Sequence, residues 1–186
     1  MPQIVEVEDT PNPNAKKFIL KEPLTAGITC SYENADEAKN DVLAVALFDI
    51  GHVTNVFYID CWLTVTQDGG ADWHELERQV VEPINAAPTA DVKAEASVVA
   101  ANTAMDSQSQ EDQQRLVAIK VLIDNQIRPV LQGDGGDLDV VSLAGNELSV
   151  HYQGACGSCP SSISGTLRAI ENLVRSIEPD VSVVAV

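Results

Sequence analysis

Residues 148–162 read Leu-Ser-Val-His-Tyr-Gln-Gly-Ala-Cys-Gly-Ser-Cys-Pro-Ser-Ser, and this stretch decides the fold of the C-terminal half. Leu148, Val150 and Tyr152 alternate with polar residues, the period of a half-buried strand. Gly154 opens a loop of small residues carrying two thiols, Cys156 and Cys159. Pro160 suits the first turn of a helix, where its missing N–H would have had no partner. Ser161 or Ser162 is expected to cap that helix, which runs to about Ile177. A strand-to-helix junction gathers backbone N–H groups and the positive end of the helix dipole, so it favours anionic sulfur, free or bound to metal. Two thiolates cannot by themselves complete a tetrahedral zinc site or a cluster that needs four cysteine ligands. A second copy of the chain, related by a two-fold axis, would bring the missing pair.

Upstream of this stretch, Leu138, Val140 and Leu143 form the other arm of a hairpin that turns at Ala144-Gly145-Asn146. Before the hairpin, Leu116, Ile119, Ile123, Ile127 and Val130 recur at helical steps, with Ser107 or Ser109 as the cap and Pro129 as a kink or end. Downstream, Val181–Val184 gives a last strand. Residues 111–186 therefore read as a small α-β-β-α-β domain.

Residues 87–110 hold no aromatic residue and are dominated by Ala, Ser, Thr and Gln. They read as a flexible linker with a reach of about 27 Å, an exposed helix over Ala94–Ala101 being the alternative. Residues 1–86 form a second small mixed domain, so the fold class is α+β, with two domains on one tether. Its elements are a strand at Ile4 and Val5, a turn at Thr10-Pro11-Asn12-Pro13-Asn14, and a strand through Phe18–Leu20. A helix follows over Ala35–Phe48, on the spacing of Ala38, Val42, Val45, Ala46 and Phe48, and stops at Gly51. Strands over Val53–Tyr58 and Trp62–Thr66, turning at Asp60, and a helix from Trp73 towards Ile84 complete it.

The 186 residues include 11 Lys and Arg against 28 Asp and Glu, a formal charge of -17. That balance excludes a groove tracking nucleic-acid phosphates and disfavours anionic membrane surfaces. No apolar run is long enough to span a bilayer, and Met1 leads quickly into Glu6, Glu8 and Asp9. Without a signal or Arg-rich transit pattern the chain reads as cytoplasmic, and its 4 cysteines as thiols or metal ligands rather than a disulfide framework.

Residues 111–186 resemble the NifU-like C-terminal domain of Nfu-type iron-sulfur scaffold and carrier proteins, through Ile127-Arg128-Pro129, Asp134-Gly135-Gly136-Asp137 and Gly154–Ser162. Residues 3–86 resemble the Nfu N-terminal domain, through Thr10–Asn14 with Lys17-Phe18, Ala46-Leu47-Phe48, and Leu63–Thr66 followed by Trp73. The resemblance implies a 4Fe-4S cluster, with a 2Fe-2S form left open, held between two C-terminal domains of a homodimer. It also implies upstream assembly proteins and recipient apoproteins as partners. The ligand role transfers onto Cys156 and Cys159 alone; Cys61-Trp62 departs from the family pattern.

Cys30 and Cys61 read as small buried hydrophobes, and His151 as a satisfied strand residue. Asp134–Asp137 reads as a tight turn, with Asp137 bonding amides beneath the cysteine loop. Arg128 either neutralises an anionic cluster or pairs with a carboxylate. No Ser/His/Asp set, P-loop or dinucleotide fingerprint is present, so the expected protein is a non-enzymatic carrier. A thioredoxin-like dithiol oxidoreductase and a zinc-bridged dimer use the same two thiols and stay open at this level.

Overall fold

Alternation in the first 70 residues is realised as an antiparallel sheet in a computed structural model that describes residues 1–90, 110–157 and 160–186. The chain divides into two units, Met1–Ala101 and Asn102–Val186. In the first, β1 (Ile4–Asp9), β2 (Ala15–Leu20), β3 (Cys30–Tyr32), β4 (Val53–Ile59) and β5 (Trp62–Gln67) assemble in the order β1-β2-β5-β4-β3. Helices α1 (Val42–Phe48) and α2 (Trp73–Ala86) contribute Leu43, Leu47, Leu76, Val80 and Ile84 to a core shared with Phe18, Val56, Tyr58, Leu63 and Val65. The Thr10–Asn14 turn is held to α2 by the Trp73 indole, which donates to the Pro13 carbonyl at 3.0 Å. It is an ordered connection, as expected.

The helix expected over Ala35–Phe48 is broken. A 3-10 turn occupies Glu37–Asn40, and Asp41 is extended, at φ -117° and ψ 107°. Its carboxylate accepts from the N–H groups of Leu43 and Ala44, which caps α1. The same carboxylate accepts from the Tyr32 and Tyr58 hydroxyls, anchoring the break inside the domain. Rotation of the helix around that cap buries Leu43, Ala44 and Leu47 and leaves Val42 77% exposed, which corrects the face read from the spacing at Val42, while Ala38 is buried and Val45 and Phe48 pack against the core. Strand β3, with three residues, is an addition to the sequence reading.

In the second unit α3 (Gln110–Gln126) and α4 (Arg128–Gly133) are separated at Ile127, with Pro129 in the first turn of α4. Pro129 thus ends one helix and starts another, and Leu131, not Val130, faces the core. Strands β6 (Gly136–Ala144) and β7 (Glu147–Gly154) form the expected hairpin. Helix α5 (Pro160–Val174) leads to β8 (Ser182–Ala185), which pairs parallel with β7. Helix α5 begins at Pro160, ahead of both serines expected as caps, and ends at Val174, short of Ile177. All three helices cover one face of the sheet, enclosing Ile119, Ile123, Leu131, Leu138, Val150, Ile170 and Val174. The architecture is α+β in both units.

Residues 87–90, assigned to the linker from sequence, carry the buried Ala87 and Ala90, and the Ala90 N–H donates to the Pro23 carbonyl at 3.0 Å. The caps Ser107 and Ser109, and the alternative helix over Ala94–Ala101, lie outside the described residues.

Candidate metal centre

The hairpin register explains why two glycine-rich blocks far apart in sequence make one structure. Gly136, at the start of β6, stands opposite Gly154, at the end of β7. Gly154 has φ 63°, a left-handed conformation that turns the strand into the cysteine loop. The Ala155 N–H then donates to the Gly135 carbonyl at 3.1 Å, stitching the loop to the turn before β6.

Cys156 settles into the space that Gly136 leaves. A Cβ on Gly136 would come within 2.6 Å of the Cys156 Sγ and 2.7 Å of the Gln153 carbonyl oxygen. Cys156 is only 3% exposed and belongs to the apolar cluster of this unit, whereas its neighbour Gly157 is exposed. This differs from the open, small-residue loop read from sequence. The missing side chain at Gly136 supplies the pocket, and its origin lies across the hairpin, not in the loop itself. Cys159, the second candidate ligand, lies outside the described residues. Among the described residues no group of three or more His, Cys, Asp or Glu side chains converges as a metal site.

Tyr152 shares the core face with Gly154 and is 5% exposed. Its hydroxyl is buried with no hydrogen-bond partner among the described residues. Burial, and then the nearby charge of Cys156, hold the phenol's pKa far above its ordinary value. Sequence reasoning placed Tyr152 in the hairpin core and had no signal for the stranded hydroxyl.

Arg128 pairs with a carboxylate, the simpler of its two expected roles. Its guanidinium donates to Asp124 at 2.9 Å and to Asp137 at 2.5 Å. Asp137 is 1% exposed and also accepts from the Gln132 side chain at 3.2 Å and the Leu138 N–H at 2.7 Å. Asp137 therefore ties α4 to the first residues of β6; the contact with the cysteine loop expected of it is made instead by the Gly135 carbonyl. Arg128→Ala would strand a buried carboxylate, and we expect it to destabilise this unit by about 3 kcal/mol, read from urea unfolding.

His151 points to the sheet face opposite Tyr152, with Nδ1 2.9 Å from the Val186 carbonyl oxygen, a satisfied strand position. Cys30 packs at the rim of the first core in β3, and Cys61 stands in the β4–β5 turn, where its carbonyl accepts from the Leu20 N–H at 2.7 Å. Lys17 lies over the neighbouring Trp62 ring, 5.1 Å from its centroid.

Fold and site together define a two-unit α+β protein whose second unit presents a cysteine loop seated on paired glycines. A family model described as the N terminus of the scaffold protein Nfu/NifU matches residues 5–91, and one described as the NifU-like domain matches residues 119–185. The chain is similar to the human mitochondrial NFU1 iron-sulfur cluster scaffold homolog, 32% identical over 95% of this chain and 69% of that protein. It is also similar to the mitochondrial NFU1 scaffold homolog of Drosophila erecta, 29% identical over 95% of this chain and 62% of that one. A solution structure of a NifU-like protein from Saccharomyces cerevisiae is 26% identical, with a TM-score of 0.38 over 43% of this chain and 75% of that one. The chain belongs to the Nfu family of NifU-like proteins. Among the described residues no helix is long and apolar enough to cross a membrane.

Proposed function

We propose that this protein is a non-enzymatic iron-sulfur carrier that holds a 4Fe-4S cluster between two copies of its NifU-like unit and passes it to recipient apoproteins. The relatives are named as iron-sulfur cluster scaffolds. The observation that carries the reading is the seat of Cys156, whose sulfur is fixed over Gly136 at a strand-to-helix junction. Cys156 and Cys159 supply two thiolates per chain, so the cluster is cargo shared with the partner copy's pair. Both cysteines must lose their protons before they ligate iron.

Dithiol exchange fits less well, because attack on a protein disulfide needs an open thiolate, and Cys156 is almost fully covered. To ligate a cluster shared with the partner copy, the Cys156 sulfur has to turn outward beside the exposed Gly157. Anaerobic reconstitution of the full chain with ferrous iron and sulfide is expected to give about four irons per two chains and a dimer on sedimentation. A loaded species with one chain, or protein that retains zinc and takes no iron, would overturn the reading.

A further inference from the structure

We propose that the Tyr152 hydroxyl is a positioning donor for an anionic sulfide of the cluster that binds beside Cys156. The inference rests on the carrier reading above. Geometry brings the two together: Tyr152 lies two residues before Gly154 on the core face of β7, Gly136 faces Gly154, and the Cys156 sulfur lies over Gly136. Tyr152 and Cys156 belong to one buried cluster, and the charge of Cys156 acts on the phenol.

A hydroxyl buried without a protein acceptor among the described residues is a liability in the empty protein. Phenylalanine would fill the same space without that penalty. Tyrosine at this position is explained if its partner arrives with the cargo. An anionic sulfur is such an acceptor, and hydrogen bonds to cluster sulfurs both hold the cluster and raise its reduction potential.

The test compares wild type and Tyr152→Phe, as full chains, empty and after anaerobic loading with iron and sulfide. We expect the thermal midpoint of empty Tyr152→Phe to equal or exceed that of wild type, while cluster loss to a ferrous chelator is about tenfold faster. The reduction potential of the loaded variant should move to more negative values. A merely structural tyrosine would do the reverse, lowering the midpoint of the empty protein and leaving the potential unmoved, and that result overturns the proposal. In wild type, the ultraviolet Raman signature of tyrosine should shift towards that of a hydrogen-bond donor on loading, and an unshifted signature also overturns it. Should the variant fail to fold, this second measurement decides alone. Wild type that takes up no cluster would sink the carrier reading itself, whereas normal loading with an indifferent Tyr152→Phe sinks only the donor.

Discussion

Cys156→Ala protein, taken through anaerobic loading beside wild type, is expected to stay colourless and to sediment without the loaded dimer. Each copy would then bring one thiolate in place of two, and half of the sulfur donors of a cluster ligated by four cysteines would be gone. Iron bound per dimer should fall from about four to background. The fold should survive: the substitution removes one sulfur from a packed site, at a cost of about 1 kcal/mol. Far-ultraviolet circular dichroism of the empty variant should therefore match wild type. Cys30→Ala and Cys61→Ala serve as controls, because both side chains stand in the first unit, one at the edge of its core and one in a hairpin turn. Loading that persists in Cys156→Ala, or that is lost equally in the Cys61→Ala control, contradicts the assignment of the site.

The elements that sequence foretold best are those whose periodicity is nearly continuous, as in the β6–β7 hairpin with its single register shift between Val140 and Ser142. Leu138 and Val140 against Leu148, Val150 and Tyr152 spell out the β6–β7 hairpin, and the register confirms that these residues share a face. Reading failed where one side chain overrides a pattern. Val42, Leu43, Ala44, Val45, Ala46 and Leu47 form an unbroken apolar run, so spacing alone cannot choose which side turns inward. The choice is made by Asp41, which two tyrosine hydroxyls from β3 and β4 hold in place. Strand β3 is shorter than any window in which alternation can be measured.

The site was half legible for a related reason. Its thiols stand in the sequence, and the family resemblance names their role, but what seats Cys156 is the lack of a side chain on another strand. Glycines at 135 and 136 signal a turn. Only the pairing of Gly136 with Gly154 shows that one of them is also a socket. Likewise the hydroxyl of Tyr152 looks ordinary until it is seen to be buried without a hydrogen bond among the described residues.

That socket makes Gly136→Ala a damaging substitution in the second unit. The added Cβ would meet the Cys156 Sγ at 2.6 Å, the Gln153 carbonyl oxygen at 2.7 Å and the Cys156 Cβ at 3.0 Å. The carbonyl belongs to the backbone of β7, so rotating the thiol away cannot relieve the clash, and the start of the hairpin has to open. Overpacking of this kind costs about 3 kcal/mol, a large share of the few kcal/mol that a unit of this size commands. We expect the thermal midpoint of the second unit to fall by more than about 10 °C, with loss of cluster loading even below that temperature because the sulfur is displaced. Gly133→Ala is the matched control: a Cβ there meets nothing within 4 Å, and the residue closes α4, where alanine is the better helix former. A Gly136→Ala protein that melts and loads like Gly133→Ala would show that the pairing with Gly154 does not seat the thiol, and the geometric basis for the centre would have to be sought in the cysteine loop alone.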